Sequence, residues 1–593
     1  MSSKLTTPTG LDPSVLNDIN GHIFPDIQDF YESFFANRPW TSIAEEFVQK
    51  LPHFQKQIDF RLQTNIVTWL TDLQASLAER TTLYCSWHEH TTESSPTSDQ
   101  ILVLADSASL KTEVKWDDLA VLGLFSQGSR WEGILQLCAY ARSVFSSQPS
   151  RAFLHSFLVR GEEAELWQSD RSGIYGSTRL TVTDTNDQYL SAIVGYMLMD
   201  SSEWGMSSLV HRNEQDECAS FSYKHGTEVV TNTYILGAKI FERGSGHLVS
   251  DGLTVYRARR VDSPGWNYAI KFKWSKPSER HELTMLNLLK ERNVWGVIRL
   301  DAHHDGVNTE MLHDGLTLNN SINLQAEGDG SYVEIKEYVT ESSGENIRDE
   351  PKTLICTVVT PEGRSLHKYE SILEVLYALR DAAKAHRSLY QKGRILHRDI
   401  NPSNIIIPSC EPNRDAADTA KGVLIDFDMA KEISEPQQPH QAVGTYIFQA
   451  IGVLQAYLPD NPHTYRHDLE SFFYTFLFLA VTKRPVPEGE NQLQLPTSSV
   501  LREWTKGRLF DKANRKIQDM ESAKEFSRRI VAEFTPDFQG LGALAEKLRA
   551  ILFPVKEDGV IWTRTDMTDQ GTNALYDAVI GAFEDAALEP ARL

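Results

Sequence analysis

Cysteine is scarce in this 593-residue chain: Cys85, Cys138, Cys218, Cys356 and Cys410 are scattered, with no pairing pattern and no metal-ligand spacing. That excludes a disulfide-stapled scaffold and a zinc finger or ribbon, and it leads us to expect a reducing, intracellular setting, cytoplasmic or nuclear. Basic charge is short as well. Lys and Arg total 59 against 81 Asp and Glu, a net charge of −22, which argues against a broad nucleic-acid surface and against a polybasic membrane patch. Long apolar runs are missing. The most apolar helical stretch, Leu469 to Val481, carries Glu470 and falls short of the ~20 residues that span a bilayer. The first ten residues lack the charged-then-apolar order of a signal peptide, and no internal repeat is visible. The expectation is a chain with no membrane and no nucleic-acid partner.

What remains is an ordinary globular composition, 41% hydrophobic and 24% charged, in a chain too long for one core. The pattern reads as α+β in three parts. Residues 1–225 read as an accessory α+β domain. It has helical periodicity between 14 and 80, short apolar strands at Ile101–Leu104 and Leu119–Phe125, and a helix around Ile134–Phe145. Residues 226–360 read as a small β-rich lobe with an acidic, Gly/Asn/Ser-rich insertion at 301–351. Residues 361–593 read as a helical lobe, with Ile372, Leu376, Leu379, Ala383, His386 and Tyr390 on one face of a long helix that stops at Gly393.

The chemistry-bearing stretch is His397-Arg398-Asp399-Ile400-Asn401-Pro402-Ser403-Asn404, followed by the apolar Ile405-Ile406-Ile407 and, after a polar turn, by Val423-Leu424-Ile425-Asp426-Phe427-Asp428. The first stretch fits the H-R-D-x-x-x-x-N catalytic loop of protein kinases and the second is close to their D-F-G element. Phosphoryl transfer asks little covalent chemistry of a protein. It needs a carboxylate to orient the attacking hydroxyl and take its proton, and oxygens to hold magnesium against the phosphates. Asp399 fits the first role, with Asn404 and Asp426 fitting the second.

In the small lobe, Tyr268-Ala269-Ile270-Lys271 matches the strand whose lysine pairs phosphates and a helix glutamate. A lysine on an apolar strand calls for an anionic partner; Glu282 is the choice, with Glu279 and Glu291 as alternatives. Lys273 is read as solvent-facing. The segment His247–Ala258 has the outline of a strand–turn–strand over phosphates, yet only Gly252 stands in its turn and Ser250 occupies a place where glycine is expected. An ordinary hairpin turned at Asp251-Gly252 fits it equally well. Pro361-Glu362-Gly363 reads as the hinge where an adenine meets backbone. In the helical lobe, Gly444-Thr445 follows the activation segment, and Thr445 is expected near the catalytic Asp. Arg398 is placed to receive a phosphate on Ser434, Thr445 or Tyr446. Where Ala-Pro-Glu is usual the chain has Gln449-Ala450-Ile451, so that glutamate and its ion pair to a later arginine are missing. Asp468, at the start of the Leu469–Leu479 helix, is expected to cap it and to bind backbone amides of the catalytic loop.

Together these segments resemble the fungal-type protein kinase family, a divergent branch of the protein-kinase-like fold. The carrying residues are Lys271-Phe-Lys-Trp274, Leu396–Asn404, Val423–Asp428, Gly444-Thr445 and His467–Tyr474, with Gln136–Arg142 and Gln148–Arg151 in the N-terminal region. The resemblance implies a bilobal kinase-like fold with a separate N-terminal domain. It also implies ATP- and Mg2+-dependent transfer of the γ-phosphoryl group to Ser or Thr of a protein substrate. In that scheme Lys271 and Gly252 meet the nucleotide, Glu282 supports Lys271, Asp399 and Arg398 serve the reacting hydroxyl, and Asn404 and Asp426 hold metal. Asp428, in place of a glycine, reaches a second magnesium. Two rivals stand beside this reading. A small-molecule kinase of the aminoglycoside or choline type shares the H-x-D-x-x-x-x-N loop. A pseudokinase acting as a binding scaffold fits the glycine-poor loop and the missing Ala-Pro-Glu.

Overall fold

Two apolar runs, Ile101–Ala105 and Leu119–Phe125, lie side by side as antiparallel strands with every residue buried. Strands covered on both faces read as continuous apolar runs rather than alternating ones. A computed structural model gives the structure of residues 13–51, 66–90, 100–106, 114–182, 187–212, 216–225, 228–244, 246–279, 281–313, 315–318, 321–328, 331–335, 350–409, 419–434, 444–455, 462–482, 494–555, 561 and 563–588. The chain is mixed α+β and forms two compact units. One comprises residues 1–262, 270–278 and 303–357; the other comprises 263–269, 279–302 and 358–593.

In the first unit, β1 (Ile23–Ile27), β2 (Cys85–His90), β3 (Gln100–Asp106), β4 (Leu119–Phe125), β5 (Phe153–Arg160), β6 (Glu163–Asp170), β7 (Ile174–Ser177) and β8 (Leu180–Thr181) build one sheet. Its order is β1-β7-β6-β5-β4-β3-β2, with β8 on β6. β4 and β5 are parallel, and the Arg130–Ser147 helix makes the crossover that a parallel pair requires. That helix starts at Ser129, whose hydroxyl accepts the Glu132 N–H at 3.3 Å while Glu132 returns a bond to the Ser129 N–H at 2.6 Å. Alternation then assigns faces. Leu154 and Leu158 join the core under this helix. Phe157 and Val159 join a second core with the Thr41–Lys50, Ile66–Ala78 and Asp187–Leu198 helices. Gly123 is needed where it stands, because a Cβ there would lie 2.3 Å from the Phe157 ring.

A second sheet runs β14-β17-β13-β12-β11-β10-β9, formed by β9 (Val210–Arg212), β10 (Glu217–His225), β11 (Glu228–Glu242), β12 (Thr254–Arg260), β13 (Tyr268–Ser275), β14 (Arg299–Asn308) and β17 (Thr353–Thr360). A small hairpin, β15 (Asn323–Ala326) and β16 (Tyr332–Ile335), occupies part of the expected insertion. The hairpin expected from 247 to 258 is differently built. Its first arm is β11, which ends at Glu242, so the connecting loop is 243–253 and His247–Leu253 is part of that loop and not a strand.

The second unit is helical around one core, with helices Ile372–Gln391, Tyr465–Val481, Leu509–Met520, Gly542–Leu552 and Asp569–Leu588. The first opens at Ser371, whose hydroxyl accepts the Glu374 N–H. Its end differs from the glycine-cap expectation. The left-handed residue is Arg394, with φ +52°, while Gly393 is required for close approach, its missing Cβ lying 2.5 Å from the Leu389 carbonyl oxygen. The Tyr465–Val481 helix is buried along nearly all of its length, as an apolar-all-round segment must be. Short strands complete the unit: β18 (Gly363–Ser365), β20 (Ile405–Pro408) and β21 (Val423–Leu424) form one sheet, and β19 (Ile395–Leu396) pairs with β22 (Lys431–Glu432).

Candidate active site

Strand β19 delivers the chain into the 397–404 loop, and the loop is held from beneath by one buried carboxylate. Asp468 accepts the backbone N–H groups of His397 at 3.0 Å and Arg398 at 3.1 Å. Its two oxygens also meet His386 Nε2 at 2.7 Å and His463 Nε2 at 2.8 Å. Burial would raise this carboxyl, but His463 and His386 outweigh it and hold it well below the usual carboxylate range. His386, expected as a core residue, is wholly buried and spans from Asp468 to the Tyr576 hydroxyl at 2.8 Å. Arg398 takes φ +69°, a conformation unfavourable for a side chain, and its amide reaches Asp468 from there.

His397 orients the next residue. Its Nε2–H donates to the Ile425 carbonyl at 3.1 Å, which leaves Nδ1 to accept the Asp399 N–H at 3.4 Å. Burial pushes this imidazole below its ordinary value, in keeping with the neutral form that the two contacts require. Both Asp399 oxygens are then fixed: Oδ2 accepts Asn404 Nδ2 at 2.9 Å, and Oδ1 accepts the Thr445 backbone N–H at 3.0 Å and hydroxyl at 3.3 Å. Gly444 permits this approach. It has φ +99°, and a Cβ would stand 2.7 Å from the Arg398 carbonyl oxygen. Asn404 also donates Nδ2 to the Asp399 carbonyl at 2.9 Å, so Oδ1 is the atom that Asn404 can turn toward a cation.

Asn404 is tied to the second motif through its carbonyl, which accepts the Ile425 N–H at 3.0 Å. There Asp426 adopts φ +63°, a region that aspartate tolerates better than most residues. Phe427 is wholly buried with its ring 5.0 Å from that of His397, which anchors the turn and leaves the flanking carboxylates half-exposed. Carboxylate oxygens of Glu282, Asp426 and Asp428 all lie within 4.8 Å of one another. An all-oxygen set of this kind fits magnesium, a hard cation usually held by a few carboxylates and waters. Glu282, chosen from sequence as the partner of a lysine, thus stands among the two aspartates. Glu291 is exposed, and the Glu279 side chain lies outside the described residues.

The other candidates belong to the first unit. Lys271 sits half-buried on β13. That strand is unbroken to Ser275, so Lys273 shares the face of Lys271 instead of turning to the opposite one. Gly252 lies in the β11–β12 loop with φ +54°, and its missing Cβ would fall 2.8 Å from the Arg171 guanidinium. In the second unit, the expected hinge is partly committed to protein: the Glu362 N–H donates to the Asn267 carbonyl at 2.9 Å and is not open to an adenine.

Two anchors went unseen in the sequence. The segment after Thr445, lacking its usual glutamate, is held by Glu470 of the Tyr465–Val481 helix, which accepts the Ile451 N–H at 2.7 Å and pairs with Arg466 at 3.0 Å. Lys516 completes the hold. Its amine donates to the carbonyls of Ile447 at 2.9 Å and Gln449 at 2.6 Å, and lies 3.9 Å from the Tyr474 ring centroid. Burial brings this amine down to about 7 against the opposing pull of Glu470. The i, i+4 spacing of Arg466 and Glu470 is the helix-pair signal that could have found the first; Lys516 carries no local signal.

The family model described as fungal protein kinase matches residues 99–480, more than half of the chain. A probable serine/threonine-protein kinase, gdt4, of Dictyostelium discoideum is 31% identical over 113 residues, which are 18% of this chain and 6% of that protein. Among the described residues, no helix is long and apolar enough to cross a membrane.

Proposed function

The chain belongs to the fungal protein kinase family, and from that premise we propose that it is an ATP- and Mg2+-dependent kinase acting on Ser or Thr of a protein substrate. The observation that carries the reading is Asp399. One of its oxygens is held by Asn404 and the other by Thr445, so the carboxylate has one fixed direction and still has lone pairs for an incoming hydroxyl. Asp399 orients that hydroxyl and takes its proton as the oxygen attacks phosphorus. Bound magnesium would neutralise phosphate charge. The residues to hold it are Asp426 and Asn404, with Asp428 and Glu282 adding oxygens. Lys271 is assigned to the nucleotide phosphates, with Glu282 as its support, and Gly252 to the loop beside them. Arg398 serves the substrate side and a phosphate on the activation segment. The Gly444–Thr445 platform supports a protein substrate over a small alcohol.

Under this reading the β-rich and helical parts act as the two lobes of a kinase, with an N-terminal domain added. The scaffold alternative draws on the committed Glu362 amide. MgATP turnover separates the readings. A kinase phosphorylates a generic Ser/Thr protein or itself, a small-molecule enzyme turns over only with alcohols or amino sugars, and a scaffold binds nucleotide without turnover.

A further inference from the structure

The loop between β11 and β12, residues 243–253, carries Gly244, Gly246 and Gly252, and it is held from two sides. Asp18, on the Pro13–Ile19 helix, accepts the backbone N–H groups of Leu248 at 2.5 Å and Val249 at 3.2 Å. Asp18 is itself buried and paired with Arg142 of the Arg130–Ser147 helix at 3.0 Å. From the other side Arg171, just past β6, donates to the His247 carbonyl at 2.7 Å and to the Ser250 hydroxyl at 3.2 Å. The same guanidinium lies 5.0 Å from the Phe145 ring centroid and donates to the Phe145 carbonyl at 3.1 Å. Between these two anchors Leu248 is wholly buried in the core of the N-terminal sheet. Among the described glycines, Gly252 is the one whose Cβ would collide with Arg171, so its smallness serves this packing.

We propose that residues 13–182 brace this loop, with Asp18 and Arg171 as positioning residues that fix its conformation before nucleotide arrives. The inference rests on the kinase reading above, which puts the loop beside the phosphates, and it assigns that region its task. A glycine-bearing phosphate loop left unbraced reaches its ligand by bending and loses conformational entropy when it does so. Here the ordering is done in advance by two buried charged groups and one buried leucine. The loop's conformation is then set without a closing motion. The loop acts as a fixed wall and not as a flap.

Arg171→Met and Asp18→Asn in the full-length protein test this, with Arg171→Lys as the conservative variant. Amide hydrogen exchange of residues 244–253 is measured without nucleotide, and MgATP affinity is measured by calorimetry. Thermal melting confirms that each variant is folded, and Asp18→Asn, the smaller change, stands in if Arg171→Met does not fold. We expect exchange in the loop to rise at least tenfold and MgATP affinity to fall at least tenfold, with partial recovery in Arg171→Lys. Unchanged exchange overturns the brace. A loosened loop with unchanged MgATP affinity overturns its role toward nucleotide. A wild-type protein that binds no MgATP removes the kinase reading and this role with it, and that result is read on the unmutated chain.

Discussion

The amine of Lys516 lies 2.6 Å from the carbonyl oxygen of Gln449, so an amine buried in the helical core holds the segment that follows Thr445. A methionine of similar length would leave two buried carbonyls unpaired, at a cost of about 1–3 kcal/mol each. Lys516→Met is expected to lower the denaturation midpoint and to raise the KM for a protein substrate more than the KM for ATP. The pH dependence has a definite sign. The folded-state amine is brought down to about 7 from an ordinary 10.5. Below the lower value both states carry the proton and the full burial penalty stands. Between the two values only the unfolded state carries it, so stability rises with pH. Denaturant titrations of wild type and Lys516→Met from neutral to alkaline pH should differ by this slope.

Asp468 gives a second expectation. One carboxylate accepts two imidazoles and two loop amides, and Asp468→Asn turns one acceptor into a donor facing other donors. Removing one partner of a buried charged network costs about 3–5 kcal/mol. Urea denaturation should show a loss of that size, and phosphotransfer should fall with it because His397 and Arg398 lose their seat. The folded-state carboxyl lies well below its ordinary value, so this stabilisation is complete above the unfolded value of 3.8 and is lost only as acid reaches the lower one.

The Glu282–Asp426–Asp428 cluster yields a third. Asp428→Asn and Glu282→Gln should each weaken divalent-ion affinity by about 10-fold or more. The concentration of Mg2+ or Mn2+ giving half-maximal turnover at saturating ATP reads this. An unshifted midpoint in both variants would leave Asp426 and Asn404 as the whole of the metal site.

The Asp399 surroundings were legible because their signal is local: five residues separate Asp399 from Asn404, and such a spacing survives in sequence. Asp468 was legible in part, as an acid at the start of an all-apolar helix: it holds the loop amides as expected, but the helix cap falls to Thr464, whose N–H donates to His467 Nδ1 at 3.0 Å. The Ile372–Gln391 helix announced itself by its helical period. What stayed hidden depends on distance in the chain. Lys516 serves carbonyls 67 and 69 residues away, and no pattern around it says so. Strand β11 was missed because Tyr234 and Ile235 are its only fully buried apolar residues among those whose side chains are described, so its alternation is faint. With that strand unread, the apolar Leu248 and Val249 were taken for the strand arm, whereas Leu248 is a plug in the N-terminal core.

The most direct measurement of the central claim compares MgATP-dependent phosphorylation of a Ser/Thr protein substrate by the wild-type chain and by Asp399→Asn, with nucleotide affinity measured on both. The account expects wild-type activity, a fall in rate of about 10²–10⁴-fold in the variant, and MgATP affinity that stays within about twofold, since Asn can keep the bond from Thr445. An Asp399→Asn protein that phosphorylates at the wild-type rate, or a wild-type protein that binds MgATP and transfers nothing, would contradict it.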